Sequence, residues 1–162
     1  MLLTLLVSLI AASQPQCNGA EWRDCLAKNE AQIIAKTPGV IRHGKTLVVG
    51  PTGHAAVFVD RYFPDDDVYN YNKYLRGRLR QSGAGSRWLV IDTYLWEGFH
   101  TDLVNLVNGA QMPVEGEFVH SPNRNRFAAL AADNGIGYGP NQVEIFSLDE
   151  MGIKSEYRIA NE

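Results

Sequence analysis

The sequence predicts a mainly β protein: an antiparallel meander preceded by one short helix. Three observations carry this. Beyond Gly39 the chain breaks into short runs rich in β-branched and aromatic residues. These runs are punctuated by turn signals such as Pro51-Thr52-Gly53, Ser82-Gly83-Ala84-Gly85-Ser86 and Asn108-Gly109. No alternation of strand and helix is visible, so a parallel sheet built from βαβ units is not expected.

The chain has 162 residues, which favours one domain, and its 45% hydrophobic and 20% charged residues exclude wholesale disorder. The net charge of −3 gives no reason to expect a nucleic-acid partner.

Residues Met1 to Ala12 carry no charge and form an apolar run of signal-peptide length, too short to span a bilayer alone. Ala11-Ala12-Ser13 supplies small residues for cleavage before Gln14, although no Lys or Arg precedes the run. Residues 1–13 are therefore expected to be a signal peptide, with a periplasmic or extracellular product. No second apolar run suggests a membrane association after leader removal.

Gln14-Pro15-Gln16 before Cys17 argues against a lipidated cysteine. A disulfide between Cys17 and Cys25, the only two cysteines, fits an oxidising compartment. It would pin a helix start to the segment before it, so residues 14–38 read as a helix with a disulfide. In Asn18 to Lys36, Trp22, Cys25 or Leu26, and Ile33 recur at helical spacing, while Arg23, Lys28, Asn29 and Glu30 are expected to face water. Thr37-Pro38-Gly39 ends the helix.

Residues 39–162 read as the β-meander domain, with about nine strands. They are Thr46–Gly50, Ala55–Phe63, Tyr74–Arg80, Arg87–Glu97, Thr101–Val107, Gln111–Val119, Asn125–Asp133, Gln142–Leu148 and Ile153–Ile159. Arg87–Glu97 is apolar on both faces, as a central strand requires. Asn108-Gly109 is a strong hairpin signal, because turns of that kind need positive φ. Such a meander folds as a sandwich, a barrel or a propeller-like stack.

Arg87 to Leu148 resembles propeller blades of the TolB type. Trp88-Leu89-Val90-Ile91, Glu97-Gly98 and Leu103-Val104-Asn105-Leu106-Val107-Asn108-Gly109 are similar to successive blade strands. His120-Ser121-Pro122-Asn123-Arg124-Asn125-Arg126-Phe127 resembles the turn in which Ser-Pro-Asp-Gly precedes a basic residue and an aromatic. Here Asn123 replaces the Asp and Arg124 the Gly. The resemblance covers about two fifths of the chain. The chain is also similar to small exported bacterial proteins of unassigned function. What this implies is a partial β-propeller of about two blades, at roughly 40–45 residues each. Some propeller-like periplasmic proteins bind, scaffold or inhibit other proteins, an analogy at the level of fold alone.

No catalytic constellation, metal site or cofactor motif is read from the sequence. His100 and Asp102, two apart, share a face on a strand. That pattern suits an acid–base dyad or half a metal site, and equally an ordinary hydrogen bond. His120 and Ser121 are adjacent and so point to opposite faces. Asp65-Asp66-Asp67 lacks calcium-loop spacing. Gly135 to Pro140 does not match a phosphate loop.

The most informative polar feature is Arg76, Arg78 and Arg80, which uninterrupted alternation places on one face with Tyr74. Arginine with tyrosine is a composition that interface hot spots favour. Protection of a sheet edge, or pairing with Asp65 to Asp67, would use the same residues. The expected function is that of an exported, non-enzymatic binding protein, such as an inhibitor or immunity-type factor. Its partner would be a protein or an anionic polymer of the cell envelope. A small hydrolase or metal-dependent enzyme, and a structural interaction module, are the alternatives.

Overall fold

A computed structural model describes residue 17 and residues 19–63, 72–79, 87–95, 98–123, 125–131, 141–148 and 152–161. The expected signal peptide, the acidic run Asp65 to Asp67, Arg80, the turn at residues 82–86 and the glycine-rich loop at residues 135–140 lie outside these residues. The protein is mainly β: one helix, α1 (Trp22–Ile34), precedes three antiparallel sheets.

The first sheet is β1 (Val40–His43), β2 (Thr46–Val49) and β3 (Ala56–Val59), in that order. The second is β4 (Asn72–Arg78), β5 (Trp88–Leu95), β6 (Gly98–Asn105) and β7 (Gln111–Val114). The third is β8 (Glu117–His120), β9 (Arg126–Ala131), β10 (Asn141–Leu148) and β11 (Ile153–Asn161), again neighbours in chain order.

Helix α1 is anchored at its start by the Cys17–Cys25 disulfide, with Cα atoms 5.6 Å apart. At its end Thr37 donates its hydroxyl to the Ile33 carbonyl at 2.8 Å. Gly39, at φ 81°, then turns the chain into β1.

The second sheet is the middle layer, and alternation along its strands assigns a side chain to each face. Leu75, Leu89, Ile91 and Val104 pack with Val40, Leu47, Val49, Ala56 and Phe58 of the first sheet. Val90, Leu103 and Val114 pack on the other side with Phe127, Ala129, Phe146 and Leu148 of the third. Strand β5 is therefore sandwiched, as its nearly continuous apolar run requires. Phe127 is the centre of the second interface: it stacks on Phe146 at 4.7 Å and meets Phe118 edge-on at 5.1 Å.

Two expectations change. Val40–His43 forms a strand missing from the sequence reading; the two residues Gly44 and Lys45 return it to β2. The single strand expected over Gln111–Val119 is two strands in different sheets, broken at Glu115-Gly116. Gly116 sits at φ +89°, and a Cβ there would lie 1.9 Å from the Leu130 carbonyl oxygen. Only glycine lets the chain turn this corner against β9. The hairpin at Asn108-Gly109 is present with a longer loop, because Asn105 N donates to the Ala110 carbonyl at 2.8 Å.

Gly116→Ala is expected to destabilise the fold by at least about 2 kcal/mol, since a left-handed penalty adds to a backbone clash. Urea unfolding of the variant measures it.

Candidate functional site

Glu30 is the buried residue of α1, a correction to the expectation that it faces water. Its carboxylate accepts two bonds from Arg42, from Nε at 3.0 Å and from Nη2 at 2.8 Å. It also accepts the Leu75 backbone N–H at 2.8 Å. Arg42 reaches this place because register puts it on the inward face of β1, opposite Leu47 and in line with Phe58.

Arg42 makes further contacts. Its Nη1 donates to Asp60 Oδ2 at 3.1 Å, and its Nη2 to the Lys73 carbonyl. Asp60 in turn accepts the Lys73 backbone N–H at 2.8 Å. One guanidinium thus joins α1, β1, the end of β3 and β4. The two carboxylates raise its proton affinity by more than burial lowers it. Over this network lies a groove of about 540 Å³ between helix and first sheet, with Ala27, Ala31, Ala35, Ile41, Arg42 and Tyr74 among its walls.

A second polar group lies along β5 and β6. His100 Nε2 is 3.3 Å from Asp102 Oδ2, so the two share a face as their spacing predicts. Register sets Lys73 beside Thr93 and Thr93 beside His100. Lys73 Nζ donates to Thr93 Oγ1 at 3.2 Å, and burial holds its amine below the usual range against the pull of Asp102. On the opposite face Asp92 is 3% exposed. It accepts the Thr101 hydroxyl at 2.9 Å and pairs with Arg76 Nε at 3.2 Å. Burial nevertheless pushes its carboxyl above the usual range.

The expected arginine stripe takes a particular form. Tyr74 is half-buried, 5.9 Å from the Arg42 guanidinium and edge-on to Tyr94 at 6.0 Å. Arg76 lies at a register shift between Leu75 and Gly77, so strict alternation does not run through the strand. Its guanidinium is engaged by Asp92 and sits 4.9 Å from the Phe118 ring centroid. Arg78 stands opposite Leu89 in the register. The structure brings Tyr74 and Arg76 into the polar border of the middle sheet. Glu30, Arg42, Asp60 and Asp92 were missed by sequence reasoning, since isolated charges in short elements carry no periodic signal.

Ser121 closes a turn: its Oγ accepts the Arg126 backbone N–H at 3.1 Å. Among the described residues no group of three or more His, Cys, Asp or Glu side chains is placed to hold a metal ion. No described helix is long and apolar enough to cross a membrane.

Among the described residues, the outer faces of the first and third sheets also expose apolar side chains. On the first sheet Ile41, Val48 and Val57 form a row, with Val59 beside them; Ile41 is 51% and Val57 56% exposed. On the third sheet, Leu130, Val143 and Ile159 form one row and Val119, Ala128, Ile145 and Tyr157 the next. Comparison of the chain with protein-family models, curated proteins and solved structures finds no match.

Arg42→Met is expected to lower stability by about 3 kcal/mol, because Glu30 stays buried without its cation. Adding Glu30→Gln should restore part of the loss, and urea unfolding of the three proteins reads both effects. A second expectation concerns pH. A carboxyl whose folded pKa is raised binds its proton more tightly when folded, so its contribution to stability declines as pH rises from about 4. Asp92→Asn should therefore gain on the wild type as pH rises from about 4 towards neutrality, read from paired unfolding midpoints.

Proposed function

We propose that this chain is an exported, non-enzymatic binding protein whose partner is another protein of the cell envelope. The Cys17–Cys25 disulfide supports an oxidising compartment, in keeping with the expected leader. The observation that carries the binding reading is the open apolar face of the first sheet beside the helix groove. Ile41, Val57 and Val59 stand exposed there, and Ile41 also borders the groove. A contiguous exposed apolar row suits a protein partner. An anionic polymer has less support, because Arg76 is engaged by Asp92. Such a protein acts by occupying its partner, as an inhibitor or immunity-type factor does. The three stacked antiparallel sheets are compatible with a partial propeller.

A hydrolase or metal-dependent enzyme has one observation in its favour, the His100–Asp102 pair at 3.3 Å. Loss of a turnover activity in His100→Ala would favour that reading over binding.

The test is capture from envelope extract with wild-type protein and with the Ile41→Glu/Val57→Glu variant. The expected result is one partner retained by the wild type and lost by the folded variant. Identical retention by both, or none by either, overturns the proposal.

A further inference from the structure

The third sheet has the larger open face. Its inner side carries Phe118, Phe127, Ala129, Phe146 and Leu148 against the middle sheet. Its outer side is apolar as well, with Val119 58%, Leu130 41%, Val143 36%, Tyr157 57% and Ile159 51% exposed. These five residues come from all four strands and sit in adjacent register rows. A sheet with only one face covered normally alternates apolar and polar residues. This one is apolar on both sides, the pattern of a strand layer packed twice.

We propose that a second copy of this chain covers this face, sheet against sheet about a two-fold axis. Three observations select that occupant. The first is area. Four strands of four, six, eight and nine residues, spaced about 4.8 Å apart and about 22 Å long on average, present about 430 Å² per copy. Two copies then bury a footprint of about 860 Å², and side-chain relief brings the accessible area towards the roughly 1,000 Å² floor for a specific interface. The second is charge. The border of the face carries Arg126, Lys154, Glu117 and Glu156, two of each sign, so identical faces meet without net repulsion. Arg126 Nε and Glu156 Oε2, 2.7 Å apart, end the apolar rows on one side. The third is continuity. Both described interfaces between layers are already apolar sheet faces packed on each other, and a copy's third sheet supplies one more face of that kind. The contact leaves the first-sheet face free for the partner proposed above and is independent of that reading.

The experiment is sedimentation velocity of the purified full chain across a wide concentration range. The proteins compared are the wild type, Val143→Glu, Tyr157→Glu, the milder Tyr157→Ser, and Val57→Glu on the first sheet. Circular dichroism and thermal unfolding establish that each variant is folded; Tyr157→Ser provides the test if the charged variants are not. The expected result is a dimer for the wild type and Val57→Glu. Either third-sheet charge should weaken association by about 100-fold, and Tyr157→Ser by about 10-fold, since each removes or charges a central apolar contact. A wild type that stays monomeric throughout overturns the proposal. So does a dimer unaffected by the third-sheet variants, or one dissociated by Val57→Glu.

Discussion

The assembly of this protein depends on the buried ion network centred on Arg42. Each partner of that guanidinium belongs to a different element: Glu30 to the helix, Asp60 to the end of β3, the Lys73 carbonyl to β4. Removing charges from water is costly, and geometry must offset that cost. Here two carboxylates and a backbone carbonyl share the cation's donors, and the same carboxylates accept the Leu75 and Lys73 amides. A weakly apolar helix is thereby held to the stack. The disulfide restrains only the start of that helix; the ion network, with Ile33 and Ile34 packed on the first core, holds α1 across β1 and β4.

A sheet packed on both faces explains where the remaining polar chemistry went. Strand β5 lends one set of side chains to each neighbouring layer, and its polar residues must find partners within the protein. Asp92 finds Thr101 and Arg76; Thr93 finds Lys73. Arg76, which alternation would have displayed to a partner, is drawn inward by the buried Asp92 carboxylate. The groups with titrating potential thus serve the cohesion of the layers, while the outer faces of the end sheets remain apolar and open.

Much of the fold was legible because it is written in local rules. The doubly apolar run from Arg87, the turn at Pro51-Thr52-Gly53 and the Thr37-Pro38-Gly39 stop each depend on residues near one another in the chain. Strand β1 escaped because four residues containing Arg42 and His43 show no alternation of apolar and polar character. The break at Gly116 escaped because glycine there is required by the Leu130 carbonyl, fourteen residues away. The candidate site was legible in part: spacing alone placed His100 and Asp102 on one face, and Tyr74 and Arg76 in β4. The partners of Arg76 could not be foreseen, since the register shift and Asp92 come from pairing β4 with β5.

The sequence by itself determined the strand-rich class, the single helix, the paired cysteines and most strand positions. These follow from backbone propensity, turn chemistry and period-two patterning, all short-range. Tertiary structure alone decided which charges are buried and which apolar faces stay open. Arg42 meets Glu30, Asp60 and Lys73 across 12, 18 and 31 residues of chain. Such meetings depend on strand register and the order of the layers. That is why Glu30, on a helix face that looked solvated, became the buried acid on which the stack is closed.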